Sequence, residues 1–125
     1  MKTHEFLSRY AAGQRNFSGI NLIAARLRNV DLRQVNLSHA DLTSANLSYA
    51  YLNGADFCAA NLQNVNLTNA NLTQANFTGA SLVGANLTNA NLTEANLTQA
   101  DLREVNLSQT YMRRVVMPNG REGKQ

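Results

Sequence analysis

An apolar residue recurs every five positions from Phe17 to Leu107, nineteen Leu or Phe in unbroken register, with Met112 in the twentieth place. No regular element keeps a period of five on one face. At about 100° per residue a helical stripe would drift around the axis, and an odd step along a strand reverses the face at each repeat. The chain therefore turns once per repeat. Two places before each central residue stands a small one, usually Ala and in places Val (Val30, Val35, Val65, Val105). Residues two apart share a face of extended chain, so both point inward and the two neighbours of the central residue point to solvent. The bend falls at the fifth place, which holds Gly19, Asn29, Gly54, Asn64, Gly79, Gly84 and Asn89. Gly and Asn accept the dihedrals that tight turns require.

The number of repeats per circuit follows from the spacing of the exceptions. Phe17, Phe57 and Phe77 differ by multiples of twenty, and so do Val65 and Val105, and Tyr51 and Tyr111. A four-sided circuit stacks each set on one face, whereas a three-sided one scatters it. The consensus Ala-Asn-Leu-Thr-x, purest from Ala85 to Gln99, and its uninterrupted register resemble the pentapeptide-repeat proteins. The resemblance implies an all-β fold, a right-handed quadrilateral β-helix of about five coils over residues 15–114. Repeat proteins of this kind build a core by stacking neighbours. On that reading the structural core includes Phe17, Leu22, Leu27, Leu32, Leu37, Phe57, Phe77, Leu97, Leu107 and Met112, with the three Phe packed face to face in a column. The Asn residues before the central Leu, among them Asn61, Asn71, Asn86 and Asn96, are expected to form side-chain ladders between coils.

Residues 1–14 depart from the repeat. Thr3 is placed to cap a helix carrying Phe6, Leu7, Tyr10 and Ala11, with Gly13 as its stop. This short α-helical cap covers the open end of the first coil. The run from Phe6 to Gly13 looks like the N-terminal cap of short cyanobacterial family members. At the other end Val115, Val116 and Met117 are apolar, and Met117-Pro118-Asn119-Gly120 resembles a closing turn of the family. Residues 115–125 are read as a capping turn followed by a frayed tail from Arg121 to Gln125. A dimer interface is the alternative, because the resemblance implies that some relatives pair through their C-terminal coils. The N-terminus has no apolar h-region, which places the protein in the cytoplasm, and the ten Asn-x-Ser/Thr sequons are by-products of the repeat.

The net charge is +3, yet no Lys or Arg stands between Gln34 and Leu102. The basic residues cluster at the ends, with Arg26, Arg28 and Arg33 in the first coil and Arg103, Arg113 and Arg114 in the last. They read either as an anion-binding or partner-binding patch, or as charge that keeps the coil ends soluble and unstacked. Catalysis finds no foothold. His4 and His39 make no ligand pair, Cys58 is the sole cysteine, and there is no phosphate loop, no Ser-His-acid set and no close carboxylate pair. No cofactor, metal, small-molecule substrate or membrane is expected. Thr73 and Thr93, Thr78 and Thr98, and Thr68 and Thr88 fall on three different faces, so no ordered Thr array forms to match an ice lattice. Direct nucleic-acid binding would need a continuous basic stripe, and the middle of this chain is neutral. What remains is a non-catalytic, rigid scaffold for an unidentified protein partner, either a monomer or a C-terminal dimer. The alternative implied by the resemblance is a DNA mimic that occupies a type II topoisomerase such as gyrase. Mimicry of that kind needs dense negative charge, which this chain lacks.

Overall fold

The computed structural model describes residues 1–123. Residues twenty apart meet in parallel bridges, from Asn16 with Asn36 through Asn36 with Asp56 to Asn96 with Val116. Four turns separate each bridging pair, so successive levels of the stack stand one circuit apart. Each side is too short for a continuous strand and contributes a single bridge. The turns share one form. In the repeat centred on Leu22, the Ala25 N–H donates to the Leu22 carbonyl at 3.1 Å, and Ala24, third in the turn, has φ 58°. A positive φ at that place marks a type II turn. Every fifth residue from Gly19 to Arg114 has a positive φ, including Tyr49, Glu94 and Arg114, so the turn is imposed on side chains that do not favour it. Such a residue costs about 1 to 2 kcal/mol in isolation, offset here by hydrogen bonds on both sides of the bend.

The repeat centred on Leu72 shows where the backbone donors go. Ala70 N–H closes the preceding turn onto the Leu67 carbonyl at 3.1 Å, and Asn71 N–H donates down one level to Ala50 at 2.9 Å. Leu72 and Gln74 donate up one level, to Asn91 at 2.8 Å and Thr93 at 2.9 Å. The fifth donor, Thr73 N–H, has no backbone partner and is taken by Asn71 Oδ1 at 3.1 Å, which also accepts from Thr73 Oγ1 at 2.7 Å. The same cap recurs from Asn16 to Asn106, with Asp41, Asp56 and Asp101 serving as well as Asn. This overturns the expected Asn ladders. The amide oxygen is committed within its own repeat, and among the described residues one Asn-to-Asn bond between levels is found, Asn36 Nδ2 to Asn16 Oδ1 at 3.5 Å.

The core is a stack of Leu with Ala or Val beside it. Leu22, Leu27, Leu32, Leu37 and Leu97 are buried. Phe57 and Phe77 stack with centroids 5.0 Å apart, but Leu37 separates Phe17 from Phe57, and Phe17 instead meets Phe6 edge-on at 4.7 Å. The column therefore holds two face-to-face rings, not three. Leu107 and Met112, expected in the core, are only partly buried together with Leu102 and Val105. They belong to the last level, and the described residues pass over one of its four sides, where Leu97 N–H reaches the Val116 carbonyl at 2.7 Å.

Helix α1 spans Thr3–Ala11 and buries Phe6 against the first level. Its N-cap is Lys2, without a side-chain cap bond, so Thr3 lies inside the helix and does not cap it. Gly13, at φ 109°, follows the C-cap Ala12. At the far end β1 (Val115–Val116) pairs antiparallel with β2 (Glu122–Gly123). The expected fraying is thus corrected for Arg121 to Gly123, since Met117 N–H donates to the Arg121 carbonyl at 2.7 Å. Residues 124–125 of that tail lie outside the described residues.

Candidate binding faces

In the repeats that carry Asn or Asp before the central residue, the cap places a side-chain oxygen beside the residue that follows, and where the pair is Asp and Arg the consequence is an ion pair. Asp31 Oδ1 accepts from the Arg33 N–H at 3.2 Å and from Nε at 2.9 Å, while Oδ2 takes Nη2 at 2.7 Å. Asp101 holds Arg103 in the same way. The side-chain hydrogen bonds from each Arg hold both carboxyls below their ordinary range, and each Arg is correspondingly raised. Arg114 meets Glu94 at 2.7 Å, and Glu94 also accepts from Gln74 Nε2 at 3.0 Å.

The expected basic patch therefore divides. Arg33, Arg103 and Arg114 are neutralised by acids of their own chain. Arg26, Arg28 and Arg113 have no carboxylate partner among the described residues. Arg28 rests over the ring of Tyr49, its guanidinium carbon 4.9 Å from the centroid. Among the described residues four repeats have no capping oxygen, because Arg26, Tyr51, Ser81 and Tyr111 stand where Asn or Asp serves elsewhere.

Where α1 meets the stack, Tyr10, Arg15, Asp31, Arg33, Gln34 and Asn53 line a shallow hollow of about 470 Å³. The Arg15 guanidinium carbon lies over the Tyr10 ring, 3.7 Å from its centroid, and Arg15 Nη1 donates to the Tyr10 carbonyl at 2.8 Å, while Tyr10 Oη donates to the Arg33 carbonyl at 2.6 Å. Burial raises the Tyr10 pKa against the opposing charge of Arg15. Asn53 Oδ1 is buried there without a partner. A local helical or repeat pattern does not bring Tyr10 to Arg33 or Arg28 to Tyr49, because each partner lies a circuit away in the chain. The available signal was the twenty-one-residue step from Arg28 to Tyr49, one circuit and one place apart. Cys58 is half-buried beside Asp56, whose Oδ1 takes its N–H at 2.9 Å, and His39 sits exposed at a turn with φ 60°. Among the described residues no three His, Cys, Asp or Glu side chains gather into a metal site.

A backbone that pairs with itself one circuit away and a core built from the same two inward positions of every side define a repeat solenoid. The chain belongs to the Pentapeptide repeat family, whose model matches residues 16–48, 40–79, 70–109 and 80–117. Among solved structures it is similar to the pentapeptide repeat protein Rfr23 from the cyanobacterium Cyanothece 51142, at 30% identity and a TM-score of 0.70 over 90% of this chain and 94% of that one. It is also similar to a pentapeptide repeat protein of the Arabidopsis thaliana thylakoid lumen, at 27% identity and a TM-score of 0.61 over 80% of this chain and 67% of that one. The trypsin-treated form of QnrB1, a plasmid-mediated fluoroquinolone resistance protein, shares the fold at 22% identity and a TM-score of 0.55, over 73% of this chain and 47% of that one. No curated protein sequence matches the chain.

Proposed function

We propose that residues 15–114 form a right-handed quadrilateral β-helix of five coils, closed by α1 at one end and by the β1–β2 turn at the other, and that it serves as a rigid, non-catalytic module binding another protein. The observation that carries this reading is the pairing seen around Leu72, where the ladder between levels, the turn and the cap satisfy all five donors of the repeat. Side chains on such faces are held in fixed positions before any partner arrives, which removes part of the ordering cost of association. The single Cys58 suits a reducing cytoplasmic setting. No helix is long and apolar enough to cross a membrane among the described residues. Affinity capture with the folded protein as bait tests the reading. A partner retained in stoichiometric amount at physiological salt supports it, and capture no better than with empty resin at both low and physiological salt overturns it.

The family resemblance raises a second reading, occupation of a type II topoisomerase such as gyrase in place of DNA. Charge argues against it. Of the acids between Gln34 and Leu102, Asp101 and Glu94 are paired with Arg103 and Arg114, leaving Asp41 and Asp56 as the unneutralised ones. A gyrase supercoiling assay with the protein in large excess is expected to show no inhibition.

A further inference from the structure

The repeats at Arg33 and Arg103 display how this fold seats a carboxylate on an arginine. In both, the acid stands one place before the central Leu and the Arg one place after it. One carboxylate oxygen lies at 3.2 Å from the Arg N–H and 2.9 Å from Nε, and the other at 2.7 Å from Nη2. The segment Arg26-Leu27-Arg28 has the same ladder, with Leu27 N–H on the Asn46 carbonyl at 2.7 Å and Asn29 N–H on that of Ser48 at 2.9 Å. Here the acid's place is taken by Arg26. The Arg28 N–H consequently has no acceptor among the described residues, and neither guanidinium has a carboxylate. Both side chains are exposed.

We propose that Arg26-Leu27-Arg28 is a docking site for a carboxylate supplied by an acidic segment of a partner protein, seated on Arg28 as Asp31 is seated on Arg33. One oxygen takes the Arg28 N–H and Nε, the other takes Nη2, and Arg26 contributes a second positive charge. A guanidinium fork matches a planar carboxylate in two parallel bonds, which favours Asp or Glu over a point-like anion. To adopt this geometry Arg28 gives up its contact with Tyr49, and the ring stays beside the incoming segment. Arg113 provides an internal comparison. Tyr111 stands where the acid would be and the Arg113 N–H also lacks an acceptor among the described residues, but the adjacent Arg114 is held by Glu94, so one guanidinium without a carboxylate serves that site where two serve the first. This inference rests on the protein-binding reading and names the chemistry of the partner.

The test is an amide NMR titration at low salt with a blocked hexa-aspartate peptide. The Arg28 amide is expected to shift saturably, while the Arg33 and Arg103 amides, which already hold a carboxylate, stay in place. Changing Arg26 and Arg28 together to Ala weakens the peptide about tenfold. Arg26→Asp supplies the missing carboxylate within the chain, so it moves the Arg28 amide without peptide, abolishes the peptide response and leaves the fold intact. An Arg28 amide that moves no further than that of Arg33, or an R26D variant that binds the peptide as well as the parent, overturns the site. Inorganic phosphate acting at lower concentration than the peptide, at matched ionic strength, overturns the assignment to carboxylate. A partner captured equally by R26D and by the parent overturns this site alone and leaves the scaffold reading standing, whereas failure of capture with a positive titration removes the scaffold reading first.

Discussion

The ring of Phe57 lies over that of Phe77 with planes 7° apart and centroids 5.0 Å apart. That separation is close to the strand spacing of about 4.8 Å, so the stack is set by the backbone ladder and not by ring preference. Both rings are fully buried.

Phe57→Ala is therefore expected to cost about 3 to 5 kcal/mol, because stacked levels cannot collapse inward to fill the gap. Phe57→Leu restores the residue found at most levels and should cost under about 1.5 kcal/mol. Urea denaturation of both variants decides the matter. Equal losses would show that ring volume is not what the site requires.

The side-chain caps give a second prediction. Asn91 Oδ1 accepts both the Thr93 N–H at 3.0 Å and Thr93 Oγ1 at 2.6 Å. Asn91→Ala leaves that N–H without an acceptor and is expected to cost about 1 kcal/mol, whereas Asn91→Asp keeps the oxygen and should be close to neutral. The converse holds at Tyr51, which supplies no cap to Asn53. Tyr51→Asn should raise the thermal midpoint, and a fall would mean that the tyrosine does more for the fold than the missing cap.

The period of five made the inward sites legible from sequence, and the recurrence of Phe17, Phe57 and Phe77 pointed to a circuit of twenty residues. The role of Asn was not legible, because a ladder between levels and a cap within one repeat ask for the same residue at the same place. Only the reach of the amide oxygen to the N–H two residues on separates them. The division of the arginines was partly written in the chain: Asp31-Leu32-Arg33 and Asp101-Leu102-Arg103 spell the paired form, and Arg26-Leu27-Arg28 the unpaired one. The end effect on Leu107 and Met112 was hidden because the repeat continues unchanged to the last level and says nothing about what lies above it.

Acid should weaken the protein through Asp31 and Asp101. Both folded pKa values lie below the ordinary value of 3.8, chiefly through the hydrogen bonds from Arg33 and Arg103. A depressed carboxyl contributes stability that is present above its unfolded pKa and lost as pH falls through the folded one. The melting temperature should thus be flat from neutral pH down to the ordinary carboxylate range and fall below it. Exchanging both acids for Asn keeps the cap oxygen but removes the charge, so that variant should show a shallower acid limb in thermal melts followed by circular dichroism. An unchanged limb would place the acid sensitivity elsewhere.

The open last level gives the final prediction. Leu67 and Leu107 occupy the same side, two levels apart, in nearly identical local sequence. Leu67 is wholly buried, with a level above and below it, whereas Leu107 is only partly covered. Leu67→Ala should accordingly cost about 3 to 5 kcal/mol, in the range of a core truncation that leaves a cavity, and Leu107→Ala about half as much. Equal losses in dilute solution would mean that Leu107 is covered there by something the single chain does not supply, and a second copy of the chain is the direct candidate. Sedimentation equilibrium then separates the two cases. A monomer accompanies the unequal losses, and a dimer weakened by Leu107→Asp accompanies the equal ones.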